Sequence, residues 1–192
     1  DQLFLGDQGK IVKSIFKSEF KIYYGVLNKN IGRKSSRTGS QLWHNDGGPG
    51  SCVNMMLYLK DVNEDNGPLQ IIDWVTSKKI FWYERFNLNK LRRSIDKDQF
   101  RKLRSNHIDN IILSENHKNS INTMLGEKGT VIFFSNNTYH RGGYPIDGKD
   151  RMVMIFHLYP SIKPLSEIIK NHKSIDKTDG YPNYTDFNEN FL

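Results

Sequence analysis

The sequence predicts a mainly β fold interrupted by one helical insertion, and three observations carry that reading. Six short apolar runs are fenced by Gly, Pro, Asn and Asp, the pattern of strands closed by turns. One stretch, from about Ser77 to Leu125, breaks that rhythm with charged helix formers. The 192 residues are 36% hydrophobic and 12% aromatic, enough to bury one sizeable core and cramped for two. A single domain over 1–192 is therefore expected, with 77–125 as a basic, partly helical insertion or lid between strand groups.

The first strand candidate, "FKIYYGVLNKN" from Phe20, alternates loosely and is rich in aromatic and β-branched residues. "SQLWHND", "CVNMMLYLKDV" and "GPLQIID" follow as three more runs. The insertion comes next. Its segment "DKDQFRKLRSN" sets Phe100 and Leu103 three apart, a helical spacing, in otherwise polar surroundings. "GTVIFFS" and "DRMVMIFHLYP" complete the β set. No internal repeat is visible, and the tail "DKTDGYPNYTDFNENFL" reads as loop or extended chain anchored by its aromatics.

Composition narrows the class of protein. Mean hydropathy is −0.64 and no apolar run approaches the length of a bilayer span, so no membrane span is expected. The start "DQLFLGDQGKIVKSIF" has no basic segment followed by an apolar one, so no secretion signal is visible. Cys52 is the only cysteine, which rules out an intramolecular disulfide and a thiolate metal cage; it reads as inert core filler in a reducing, cytoplasmic setting.

The net charge of +7 is concentrated. Thr76 to Arg104 holds ten Lys or Arg against three acids, an excess equal to that of the whole chain. Such a run reads as a solvated face, or as a lid that recognises an anionic substrate such as a phosphorylated sugar, a nucleotide-linked sugar or a carrier-bound acyl group. Phe81, Trp82, Tyr83 and Phe86 interleave with Arg85 as a base-stacking platform would, but no RNA- or DNA-binding motif accompanies them. Nucleic acid is accordingly not the expected partner.

The chemistry starts at "QLWHNDGGPG". Side chains two apart on a strand share a face, so His44 and Asp46 can reach one point, and imidazole nitrogen with carboxylate oxygen suits Fe(II), Mn(II) or Zn(II). The best third ligand is His140, in "FFSNNTYHRGGYPIDGKDRMVMIFHLYP", where a strand ends, glycines open a turn and another strand returns. Two histidines and one carboxylate would leave one face of a metal open. Arg151 follows eleven positions after His140, and the turn with Gly142, Gly143 and Gly148 would let both point into one cavity. A guanidinium beside an open metal matches a carboxylate bidentately, which predicts a metal-chelating acid as co-substrate. Asp147 and Asp150 are the rival partners for Arg151 on a strand surface. Glycines 47, 48 and 50 would make an uncluttered, mobile rim for substrate entry.

Other candidates are plainer. His157 shares the strand parity of Arg151 and reads as a core histidine, while His107, His117 and His172 lie in polar surroundings and read as solvent-facing. Trp43 alternates away from the metal and is expected beneath the sheet; Trp74 and Trp82 either line the mouth or anchor the insertion.

At "QLWHND", "LYLKDVNEDNGPLQII" and "GTVIFFSNNTYHRGGYPIDGKDR" the chain resembles the Fe(II)- and 2-oxoglutarate-dependent oxygenases of the phytanoyl-CoA dioxygenase type. The resemblance spans roughly Tyr24 to Tyr159 without the insertion and implies a double-stranded β-helix, the jelly-roll or cupin-like fold. Position by position, it assigns His44, Asp46 and His140 as iron ligands and Arg151 as the partner of the far carboxylate of 2-oxoglutarate. It also implies that Met56 lines the co-substrate pocket, with Asn54 and Tyr58 on the same inward face and Gln41 as a polar contact. Halogenating relatives carry a small residue in place of the carboxylate, so Asp46 favours hydroxylation, with O2 consumed and succinate and CO2 released. The family's usual "PGSH" after the "NGPL" strand is replaced here by "IDWVTSKK" and the N-terminal part is short, so the family's substrates do not carry over.

Two classes of function stay open on sequence. One is an iron and 2-oxoglutarate oxygenase acting on a small metabolite, with its charge, anionic or not, left open; a variant of it is a degraded oxygenase that has lost its substrate. The other is a β-barrel binding or lectin-like module whose metal is structural or vestigial. Arg151 discriminates, because a structural metal has no use for a carboxylate-binding arginine beside it.

Overall fold

A computed structural model describes residues 2–32, 37–46, 52–88, 90–114 and 117–171. Two helices that sequence periodicity did not reveal come first, α1 (Gln2–Leu5) and α2 (Asp7–Phe16). Val12 and Phe16, one helical turn apart, are the buried side chains of α2. The strands are β1 (Glu19–Ile31), β2 (Val53–Tyr58), β3 (Leu69–Ile72), β4 (Ile121–Met124), β5 (Val131–Ser135), β6 (His140–Gly142) and β7 (Asp150–Ser161). Between β3 and β4 lie α3 (Trp74–Tyr83) and α4 (Lys97–Ser114), and α5 (Leu165–Asn171) follows β7. Among the described residues no helix is long and apolar enough to cross a membrane.

The strands form two antiparallel sheets, ordered β1-β7-β2-β5 and β4-β3-β6. Successive residues of a strand face opposite ways, and β2 exploits both faces. Met55 packs outward with Phe16, Phe20 and Leu158 under α2. Met56 and Tyr58 point inward and meet Leu69 and Ile71 of the smaller sheet together with Phe134 and Val153. That second cluster is the layer between the two facing sheets, the arrangement expected of a jelly roll.

A third cluster joins the small sheet to the helices. Trp43, Ile72, Ile80, Ile108, Ile112 and Tyr139 pack together, so Trp43 sits between sheet and helices rather than beneath the sheet. Two devices seat the helices. Asp73 accepts from the Thr76 N–H and hydroxyl, both at 2.9 Å, which starts α3 three residues before the expected Ser77. Asp96 accepts from the Asp98 and Gln99 N–H groups, both at 2.9 Å, at the head of α4. The expected apolar pair Phe100 and Leu103 is only half-buried; the anchoring stripe is Ile108 and Ile112 further along. The segment expected to be helical to Leu125 ends instead in β4, which pairs with β3.

The stretch "SQLWHND" is not a strand. Gly39–Gln41 make a turn of 3-10 helix, closed by the Thr38 N–H donating to Gln41 Oε1 at 3.2 Å and the Gln41 N–H donating to Thr38 O at 3.1 Å. Only His44 pairs, through an isolated bridge to His140. Gly47, Gly48, Gly50, His172 and the aromatic tail lie outside the described residues.

Candidate active site

The bridge brings two distant histidines side by side. The His44 N–H donates to His140 O at 3.0 Å, the His140 N–H donates to His44 O at 2.8 Å, and their ring centroids are 4.4 Å apart. Each Nδ1 lies against the carbonyl two residues earlier, His44 on Leu42 O at 2.7 Å and His140 on Thr138 O at 2.9 Å. A carbonyl only accepts, so both Nδ1 atoms carry the proton and both Nε2 atoms present lone pairs. Those lone pairs converge on Asp46: Nε2 of His44 is 3.6 Å from Oδ1, and Nε2 of His140 is 3.6 Å from Oδ2. Asp46 is itself placed by its N–H, which donates to Asn136 O at 3.0 Å, and by Asn54 Nδ2, which donates to its Oδ2 at 2.7 Å. The three ligand atoms lie within 4.8 Å of one another.

The electrostatics favour a cation at that point. Burial, then the neighbouring His140, pushes the His44 imidazole down to about 4, leaving it a neutral donor at pH 7. Burial opposes ionisation of Asp46, but the two facing histidines, His140 foremost, and the Asn54 amide outweigh it and hold the carboxyl well below its usual range. Two nitrogens and one anionic oxygen, deprotonated and convergent, make a fitting donor set for a borderline-hard divalent metal.

Two cavities open from this cluster. The smaller, about 110 Å³, is bordered by Asn54, Met56, Phe134, His157 and Arg151 as well as the three converging side chains. Arg151 is only 3% exposed, yet its Nε and Nη1 have no hydrogen-bond partner among the described residues. Burial disfavours its charged form, so a guanidinium left in this state asks for an anion. Asp150 does not supply one, being bound by Lys29 at 3.3 Å and Lys60 at 3.0 Å. The larger cavity, about 270 Å³, lies between the 39–46 segment and α4 and is bordered by His44, Asn45, Asp46, Arg101 and Arg104.

The structure thus brings together His44, Asp46, His140, Arg151, Asn54 and Met56. Tyr58 lies on the same strand face but is fully buried, its hydroxyl donating to Met124 O at 2.7 Å, and it borders neither cavity. Gln41 departs from expectation: its side-chain oxygen is occupied by Thr38 in the local turn, and Ser40 is the residue at the cavity edge. The glycines act differently from a simple turn. Gly142 ends β6, where a Cβ would come within 2.7 Å of Arg151 Nη2, and Gly148, with φ of 77°, makes the reversal into β7.

Trp74 and Trp82 border neither cavity and are 48% and 52% exposed; Trp82 stacks on Phe86 at 5.9 Å. Some pocket residues escaped the sequence reading. His157, which its parity with Arg151 predicts to be a core histidine, borders the smaller cavity and lies against Tyr24 at 5.6 Å. Asn28, opposite Val153 in the β1–β7 register, had no signal in the sequence at all.

The family model described as Phytanoyl-CoA dioxygenase (PhyH) matches residues 18–153. Among solved structures, the non-heme alpha ketoglutarate dependent epimerase SnoN from nogalamycin biosynthesis is similar with a TM-score of 0.53 at 10% identity, covering 80% of this chain and 52% of that one. The non-heme alpha ketoglutarate dependent carbocyclase SnoK from the same biosynthesis has a TM-score of 0.52 at 12% identity, covering 79% and 54%. EctD from S. alaskensis, in its apoform, has a TM-score of 0.50 at 18% identity, covering 78% and 48%. The chain therefore spans about half the length of these proteins. No curated protein matches it in sequence. These likenesses bear out the fold class, a double-stranded β-helix with helices.

Proposed function

The chain belongs to the phytanoyl-CoA dioxygenase family, and from that premise we propose that it is an Fe(II)- and 2-oxoglutarate-dependent oxygenase that hydroxylates an unactivated carbon of a small molecule. The observation that carries this reading is Arg151, buried beside the His44, Asp46 and His140 cluster with two guanidinium nitrogens lacking partners among the described residues. The residues present fit both groups: a nitrogen, nitrogen and carboxylate donor set for the iron, and an unpaired planar fork for a carboxylate.

In this proposal His44, Asp46 and His140 hold the metal, and Arg151 binds the far carboxylate of 2-oxoglutarate between Asn54 and Met56. Bound there, iron with 2-oxoglutarate and O2 supplies the two-electron oxidation of a C–H bond, one oxygen atom passing to the substrate and the other to succinate as CO2 leaves. The protein's own part is placement. The carbonyls of Leu42 and Thr138 fix each imidazole with Nε2 forward, and the Asn54 amide holds one carboxylate oxygen of Asp46. Phe134, Met56 and Ile155 wall the smaller cavity with apolar surface, which keeps water from the co-substrate. Substrate enters through the larger cavity, on the α4 side. Asp46 occupies the position that is small in halogenating relatives, which favours hydroxylation.

The test is succinate formation from 2-oxoglutarate in air with added Fe(II), for the parent and for His44→Ala and Arg151→Ala. Loss of activity in His44→Ala and a raised 2-oxoglutarate requirement in Arg151→Ala are expected. A parent that neither makes succinate nor binds 2-oxoglutarate under anaerobic Fe(II) would instead be a ligand-binding module.

A further inference from the structure

The larger cavity has a chemical character of its own. One wall is the 39–46 segment with His44 and Asp46; the other is α4, from which Arg101 and Arg104 project, three residues apart and so on one helical face. Among the described residues the only carboxylate bordering the cavity is Asp46, whose charge the two histidines already face. Neither arginine has a close, buried carboxylate partner among the described residues. Of those residues Arg101 meets only Asp98, at 3.3 Å, whose side chain is 81% exposed and therefore a weak, screened partner. Arg104 is the more buried; its Nε faces Glu84 Oε1 at 3.7 Å, too far for a hydrogen bond, and neither of these two atoms has another partner among the described residues. The other oxygen of Glu84 is taken by the Tyr139 hydroxyl at 2.6 Å.

We propose that this cavity is the substrate site and that the substrate is a small molecule bearing an oxyanion, a carboxylate or a phosphate, gripped by Arg101 and Arg104 with its reacting carbon turned toward His44 and Asp46. The proposal rests on the oxygenase reading for the position of the reacting carbon, and on the cavity alone for the anion. Two guanidinium forks match carboxylate and phosphate oxygens alike, and their charge is delivered where the wall is otherwise short of acids. A volume of about 270 Å³ admits a small metabolite or the anionic end of a larger one. Within the basic run, Arg101 and Arg104 thereby serve the substrate, while its exposed lysines form a solvated face.

Matched probes test this by calorimetry on the full chain, both metal-free and loaded under nitrogen with Fe(II) and 2-oxoglutarate. The sets are glycerol, glycerate and glycerol 3-phosphate, and glucose, glucuronate and glucose 6-phosphate. In at least one set an anion is expected to bind at least about tenfold more tightly than the neutral member. Arg101→Gln should cut that preference at least about fivefold, and Arg104→Lys, which keeps the charge beside Glu84, about threefold. Preference for the phosphate or for the carboxylate tells which oxyanion the site takes, and either supports the proposal. Equal binding of anions and neutral members in both sets, or a preference untouched by Arg101→Gln, would overturn it. The two readings fail separately: loss of 2-oxoglutarate binding in the parent sinks the oxygenase, whereas intact 2-oxoglutarate binding without any anion preference sinks only the anionic substrate.

Discussion

Arg141 lies over the ring of Trp43, 4.2 Å from its centroid, and each is the chain neighbour of one of the two bridged histidines. A single oxygen of Asp109 on α4 secures the pair, accepting from Trp43 Nε1 at 2.8 Å and from Arg141 Nη1 at 3.2 Å. The Trp43 N–H adds a bond to Ser105 Oγ at 3.1 Å. Helix α4 therefore holds both histidine-bearing segments at once, which couples its docking to the geometry of the candidate metal centre.

Removing Asp109 should loosen that centre without touching a ligand. Asp109→Ala is expected to weaken Mn(II) binding, used as an air-stable stand-in, by roughly 10-fold to 100-fold, the usual range for groups that orient metal ligands. Asp109→Asn, which keeps an acceptor oxygen, should lose less. Unchanged Mn(II) affinity in Asp109→Ala would mean that α4 packs beside the centre without positioning it.

Asn54 is placed to act on Asp46 alone. Its amide donates to Asp46 Oδ2 at 2.7 Å, so Asn54→Ala frees one carboxylate oxygen to turn away from the histidines. A fall of about 10-fold in metal affinity is expected, with thermal stability lowered by about 1 kcal/mol. Calorimetry and thermal melts of the same samples separate the two effects.

Gly142 tests the arginine site from behind. A Cβ there would sit 2.7 Å from Arg151 Nη2, so the guanidinium would have to shift into the smaller cavity that it borders, where the co-substrate carboxylate is proposed to bind. Gly142→Ala should therefore weaken 2-oxoglutarate binding by about 10-fold while metal affinity stays within about twofold. Equal losses of both would show that the substitution disturbs β6 and His140 rather than the guanidinium.

Cys52 should be silent at neutral pH. Burial, partly offset by hydrogen bonding from Tyr159, pushes its thiol from 9.0 up to about 11. The raised value means that folding favours the neutral thiol: this contribution to stability is present below pH 9 and is lost as pH rises toward 11. At pH 8 the folded chain is expected to react with iodoacetamide at least about 100-fold more slowly than the urea-unfolded chain, from the thiolate fraction alone. Comparable rates would place the thiol at the surface.

Much of the fold and of the candidate site was legible because the signals were local. The inward and outward alternation of "CVNMMLY" is the alternation of Met55 and Met56 between two core layers. The H-x-D spacing, the distant histidine and the arginine eleven residues on mark four side chains that the structure gathers around one point. What misled was equally local. "SQLWHND" sets the apolar pair Leu42 and Trp43 among turn formers and so suggests a short strand, but Thr38 and Gln41 close a turn on each other before it can pair.

The mainly β character, the H-x-D pair and the spacing of His140 from Arg151 are legible in the chain, since residue type and short-range spacing follow directly from it. That His44 lies next to His140, 96 positions away, comes from the long-range packing, because a backbone bridge joins them. The same packing lets α4 bring Asp109 to Trp43 and Arg141, and Arg101 and Arg104 to the cavity wall. Periodicity records which face of an element is buried; it does not record which distant surface buries it, and here that meeting of surfaces makes the site.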